Sequence, residues 1–187
     1  MPERLKRVRL FIPIMLLLGL ACGPCNLLSR QSPTPPRPIV VSTEAAGQLE
    51  SRIQQALGGP SQQQFILQMT DTEATSLLNK ELAKYGESPV TMPVVWFTKG
   101  KIYATGRLVN VVPIATDFSM IASSRIQDGK VSIKIEQLSA GDVPLPSSVL
   151  NMISQSINET VSELQLQVDV TDLEILEGEA IIRGVRQ

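Results

Sequence analysis

The first 38 residues decide how much of this 187-residue chain is left to fold. Arg4, Lys6, Arg7 and Arg9 form a positive start, and Leu10 to Ala21 (LFIPIMLLLGLA) form an apolar run that stops at Ala21-Cys22, the three-part layout of a secretory signal. The run is about a dozen residues, short of the ~20 that a helix needs to cross a bilayer, and Pro13 and Gly19 interrupt it. A cleaved signal is favoured over a permanent span. Ser29 to Ile39 (SRQSPTPPRPI) follows, with Pro33, Pro35, Pro36 and Pro38 too dense for helix or sheet. Such a stretch is an extended polyproline II spacer rising ~3.1 Å per residue. The expected organisation is a signal over 1–22, a proline-rich tether over 23–42 and a single domain over 43–187.

The two cysteines, Cys22 and Cys25, sit together at the exit of the apolar run. A redox CxxC opens a helix beside a strand, whereas this one holds Gly23 and Pro24 and runs into prolines. Leu18-Gly19-Leu20-Ala21-Cys22 instead resembles a bacterial lipobox, which implies cleavage before Cys22 and a diacylglycerol on its thiol. Gly19 departs from the branched aliphatic usual at that position. The alternative is that Leu10 to Leu28 stays uncleaved as a proline-kinked anchor. Both readings put the domain outside the cytoplasm, anchored to the cell membrane.

About 165 residues follow the signal, and with 43% hydrophobic residues and a mean hydropathy of +0.10 they suffice for one domain with a real core. A formal charge of −1 with no basic run after Arg9 leaves no footprint for nucleic acid, whose affinity rests on phosphate neutralisation. The chain has no histidine, which removes the commonest general base and metal ligand and every Ser-His or Cys-His arrangement. No Ser-x-x-Lys helix start appears, and no cofactor is implied. Asp169, Asp172, Glu174 and Glu177 fit no calcium loop and read as solvated strand faces. A non-enzymatic protein is expected.

Periodicity supplies the elements. Thr43 to Leu57 carries Leu49, Ile53 and Leu57 at i, i+4, i+8, and stops at Gly58-Gly59-Pro60, an amphipathic helix. Gln64 to Met69 reads as a strand. Thr70 and Glu73 have capping-box spacing and open a helix from Asp71 to about Tyr85, expected to bury Ala74, Leu77, Leu78 and Leu82. Lys101 to Val109, Val112 to Ala122 and Lys130 to Leu138 alternate as strands, with Asp128-Gly129 as a hairpin turn. A second long helix is expected after Pro146, with Val149, Leu150, Ile153, Ile157, Val161 and Leu164 at helical spacing. Two last strands, Gln167 to Glu177 and Glu179 to Arg186, shift phase near Thr171-Asp172, which predicts a bulge. Trp96-Phe97 suits ordinary sheet packing, with a groove mouth or a membrane interface as the alternatives. Asn158-Glu159-Thr160 matches a glycosylation acceptor but falls mid-helix.

The order of these elements, with Asp128-Gly129-Lys130-Val131, then Gly141-Asp142-Val143-Pro144-Leu145-Pro146, then a helix starting Ser148-Val149-Leu150, resembles the YpmS-like bacterial envelope proteins. It is similar, less closely, to the LmeA-like secreted proteins of actinobacteria and to the tubular lipid-binding (TULIP) superfamily. The resemblance covers roughly Phe65 to Arg186 and implies an α+β fold in which a long curved antiparallel sheet packs against one long helix, with shorter N-terminal helices. It also implies an apolar groove for an acyl chain or phospholipid. Groove candidates are Ile102, Leu108, Ile114, Phe118 and Met120 on the sheet, with Leu150, Ile153, Ile157 and Val161 on the helix. The competing expectation is that these residues meet one another and leave no cavity, as in an envelope scaffold with a fully packed core.

Overall fold

The computed structural model describes residues 33–84, 90–109, 115–141, 143–148, 150–151, 154–155, 158–159 and 168–187. The chain divides into Met1–Gln31 and Ser32–Gln187, and the described residues all belong to the second unit. Their order is α1 (Thr43–Leu57), β1 (Gln64–Thr70), α2 (Asp71–Ala83), β2 (Val90–Thr98), β3 (Lys101–Leu108), β4 (Thr116–Gln127), β5 (Lys130–Ala140), β6 (Val143–Pro144), β7 (Val168–Ile175) and β8 (Glu179–Arg186). This is an α+β fold with antiparallel sheets. Where one long sheet was expected, the strands divide between two, in the orders β1-β8-β7 and β2-β3-β4-β5-β6.

Local chemistry explains most boundaries. Ser42 caps α1 by accepting from the Ala45 amide (3.3 Å), and Thr70 and Glu73 form the expected capping box at α2. Lys99-Gly100 and Asp128-Gly129 hold positive φ at both positions, the backbone of a two-residue type I′ hairpin, and they join β2 to β3 and β4 to β5. The bulge predicted near Thr171-Asp172 falls between Val170 and Asp172, and it turns both Val170 and Leu173 to the apolar side. β4 is described from Thr116 and runs past the expected end at Ala122 to Gln127. Its last turn of pairing, Ser123-Ser124-Arg125 against β5, is too polar to show as alternation. Val112 and Ile114 lie outside the described residues.

α2 departs most from the sequence expectation. Its buried residues are Asp71, Glu73, Thr75 and Ser76, while Ala74, Leu77, Leu78 and Leu82 are half-buried. The reason is the open edge of β2. Phe97 N–H donates to Asp71 Oδ1 (2.8 Å), Val95 N–H donates to Thr75 Oγ1 (2.9 Å), and Thr75 Oγ1 donates back to the Val95 carbonyl (2.8 Å). Asn79 Nδ2 donates to the Pro93 carbonyl (2.8 Å). Asp71, Thr75 and Asn79 recur every four residues on one helix face, so the helix supplies a ladder of polar side chains where a neighbouring strand would supply backbone.

The other edge of that sheet is treated alike. Asn158, in helical backbone, accepts from Ile133 N–H (2.6 Å) and donates to the Ile133 carbonyl (2.7 Å), and Ser154 Oγ accepts from Ile135 N–H (3.1 Å). The Asn158 amide is thereby committed to β5 and not presented as a glycan acceptor. Backbone from the two hairpin tips seals β7: Val170 N–H donates to Gly129 O (2.6 Å) and Gly100 N–H donates to Ile175 O (3.1 Å).

The proline-rich stretch is docked, not free, from Pro33 onwards. Arg37 donates to Asp71 Oδ2 (2.7 Å), Glu177 Oε1 (2.9 Å) and the Phe97 carbonyl (2.9 Å), so one guanidinium ties the segment to α2, β2 and the β7–β8 turn.

Glu73 makes α2 sensitive to acid. Burial pushes its carboxyl up, but bonds from Arg52 and from the Thr70 amide and hydroxyl outweigh this and hold it below its usual value of 4.5. A lowered folded-state value contributes stability above pH ~4.5, and that contribution is lost as the pH falls through the folded value. Glu136, held down by Lys101, and Glu177, held down by Thr98 and Arg37, act in the same window. The melting temperature is expected to stay level from pH 7 to 5 and fall below ~4.5. Glu73→Gln should be about 1–2 kcal/mol less stable at pH 7 and show a shallower acid slope. An unchanged slope in that variant would remove Glu73 from the account.

A candidate apolar ligand cavity

The inner faces of the two sheets follow from register. Phe97, Ile102, Ala122 and Ile135 are successive cross-strand partners, and the next inward rung pairs Ser124 with Ile133. On the three-stranded sheet, Phe65, Leu67 and Met69 face the same way as their partners Gly184, Ile182 and Ala180. Between these faces and α1 lies a cavity of about 300 Å3. α1 contributes Ile53, Ala56 and Leu57; β1 contributes Phe65, Leu67 and Met69. The β7–β8 hairpin adds Val168, Val170, Leu173, Ile175, Ala180 and Ile182, and the five-stranded sheet adds Phe97, Ile102, Ser124, Val131 and Ile133. Among the described residues Ser124 is the one polar side chain on this wall. Ala56, Phe65, Val168 and Val170 form the packed cluster around which the cavity is built.

An uncharged lining selects its contents, since an ion or an unpaired polar group placed there loses hydration without compensation. The size sits at the lower end of the ~300–1,000 Å3 usual for ligand pockets, enough for a slender apolar group. Among the described residues no group of three or more His, Cys, Asp or Glu could hold a metal ion. The carboxylates of the last hairpin are occupied: Asp172 and Glu174 both pair with Arg183, and Glu177 takes Thr98 and Arg37.

Of the groove candidates, Ile102 lines this cavity. Leu108, Phe118 and Met120 share its sheet face by register but lie along the strands away from it, and each is half-buried. Phe118 covers Gly106, where an added Cβ would stand 2.7 Å from its ring, and borders a shallower hollow with Pro33, Pro35 and Met92. Leu150 is half-buried and does not line the cavity. Ile114, Ile153, Ile157, Val161 and Cys22 lie outside the described residues. Trp96 is no membrane anchor: it is 2% exposed and stacks on Tyr103 with ring centroids 5.4 Å apart.

Sequence reasoning passed over the cavity residues of α1, β1, β7 and β8. Their signal was present as alternation, Phe65-Leu67-Met69 and Ala180-Ile182, but one sheet around one helix left those strands no opposing face. No protein-family model matches this chain, and no curated protein matches it. Among the described residues no helix is long and apolar enough to cross a membrane.

Proposed function

We propose that this chain is a membrane-tethered, extracytoplasmic protein of the bacterial cell envelope that binds or handles lipid without catalysing a reaction. The observation that carries the reading is the cavity of about 300 Å3, whose described lining is apolar except for Ser124. The positive start, apolar run and lipobox-like Leu18 to Cys22 support the tether, with Cys22 as the lipid-attachment residue. The resemblance to YpmS-like and tubular lipid-binding proteins supports an acyl chain or phospholipid as ligand. With it goes the finer architecture of a long helix lying along a curved sheet. Helical backbone at Ser147, Ser148, Leu150, Asn151, Ser154, Gln155, Asn158 and Glu159, and the bonds of Ser154 and Asn158 to β5, support that helix.

The test is photolabelling of the full chain in phospholipid vesicles with a diazirine-bearing fatty acid. Adducts are expected on peptides containing Leu67 and Ile182, at opposite strands of the cavity floor. Ile182→Trp should fill the space and suppress labelling severalfold, with little loss of stability if the cavity is truly vacant. Overpacking a filled core would instead cost about 1–3 kcal/mol. Wild-type protein that takes no label, with Ile182→Trp strongly destabilised, would sink the lipid reading in favour of a packed scaffold.

A further inference from the structure

Three long strand edges in this fold are sealed by dedicated groups: β2 by α2, β5 by Ser154 and Asn158, and β7 by the hairpin tips. β1 is also an edge strand. Its outward groups can be identified. Arg186 N–H donates to Gln63 O (3.1 Å), so along the antiparallel pair Phe65, Leu67 and Met69 turn their backbone toward β8. Gln64, Ile66, Gln68 and Thr70 turn theirs away. Thr70 N–H meets Glu73 (2.9 Å), which fits that alternation, while among the described residues Gln64, Ile66 and Gln68 have no backbone partner on this side.

Natural edges are guarded by charge, proline, a bulge or a cover, because an open row of N–H and C=O groups templates another strand. β1, Gln-Phe-Ile-Leu-Gln-Met-Thr, has no charged residue, no proline and no register shift against β8, and its Ile66 is 69% exposed. Its centre is also close to a chemical palindrome. An antiparallel pair about a two-fold axis at Ile66 sets Gln64 against Gln68, Phe65 against Leu67 and Ile66 against itself. These five central positions then meet their own kind, amide to amide and apolar to apolar, while Met69 and Thr70 at the strand's end meet Gln63 and Gln62, with no like charges opposed.

We propose that β1 pairs with β1 of a second copy of this chain, joining two three-stranded sheets into one six-stranded antiparallel sheet. The interface is isologous, as a closed dimer requires. The two-fold axis stands perpendicular to the sheet, so the cavity-facing side chains of both copies share one face. This dimer does not depend on the lipid reading.

Sedimentation velocity of the full chain in non-ionic detergent, over a hundredfold concentration range, should show a dimer. Ile66→Lys, which opposes two ammonium groups at the axis, should give a monomer with an unchanged melting temperature. Ile66→Pro, which removes an outward N–H that the edge of a sheet can spare, should do the same. In a chain with Cys22 and Cys25 replaced by serine, in the same detergent, Ile66→Cys should oxidise to a disulfide-linked dimer. Directly paired residues lie ~5.5 Å apart between Cα atoms, within disulfide range. Val143→Cys, at a site 65% exposed on β6, should not crosslink. A monomer at every concentration, a dimer that survives both Ile66 variants, or equal crosslinking at 66 and 143 would each overturn the proposal.

Discussion

Asp71→Ala is expected to lower the unfolding free energy by about 3–5 kcal/mol, a large share of the ~5–15 kcal/mol that a domain of this kind has to lose. The Asp71 side chain is 4% exposed and holds three things at once. It accepts the Phe97 amide at the edge of β2, it pairs with Arg37 from the proline-rich segment, and it is an acidic group in the first turn of α2. Alanine leaves the Phe97 N–H buried without a partner and removes the nearer of the two carboxylates that hold Arg37. Arg37→Ala should cost less, about 1–2 kcal/mol, because its side chain is one-third exposed and the pair is partly solvated. Asp71→Asn keeps an oxygen for the Phe97 amide and should recover about half of the loss. The double variant Asp71→Ala, Arg37→Ala should be less damaging than the sum of the singles, since no charge is left stranded. Urea denaturation with a constant slope reads all four. A loss of under ~1 kcal/mol for Asp71→Ala would show that the polar ladder on α2 is ornamental to stability.

What could be read in the sequence was the local part of this fold. The Thr70-Glu73 box, the Asp128-Gly129 hairpin, the stop after Leu57 and the bulge at Thr171-Asp172 are each fixed by a few neighbouring residues, and each is found where its chemistry puts it. The α2 ladder is different. Asp71, Thr75 and Asn79 at four-residue spacing look like a solvated helix face, and the strand edge that needs them is 14 to 26 residues further along the chain. A hydrophobicity pattern cannot separate polar groups facing water from polar groups facing an unpaired backbone. Arg37 failed to stand out for a similar reason, because its partners Asp71 and Glu177 are 34 and 140 residues away. Of the cavity, Ile102 was legible from the alternation of β3. Phe65, Leu67 and Ile182 were legible as strand residues but not as cavity-facing ones, since that depends on a second sheet standing opposite.

Arg186→Ala should be comparably severe, about 3 kcal/mol, and should reach the cavity as well as the fold. The Arg186 side chain sits at the end of β8, in a residue 8% exposed, and closes the C-terminus of α1. Nε donates to the Ala56 carbonyl (2.6 Å), Nη2 to the Gln55 carbonyl (2.7 Å) and Nη1 to Gln63 Oε1 (2.7 Å). α1 has no basic residue in its own last turn, so this guanidinium, 130 residues distant from Ala56, is the cation that meets the negative end of its dipole. Each charge-assisted bond is worth about 1.5–3 kcal/mol, and water entering the vacated space repays part of the loss. Lysine has a single point of charge and cannot span two carbonyls and an amide, so Arg186→Lys should recover less than half. Ala56 and Leu57 belong both to this capped turn and to the cavity wall. Fraying of the turn would therefore open the cavity on its α1 side. In the fatty-acid photolabelling assay, Arg186→Ala at a temperature where it remains folded should label less efficiently than wild type, and Arg186→Lys should fall between them. Melting curves and labelling yields that leave both variants equal to wild type would show that α1 is held by its apolar contacts alone, and that the strand-borne arginine is dispensable to the cavity.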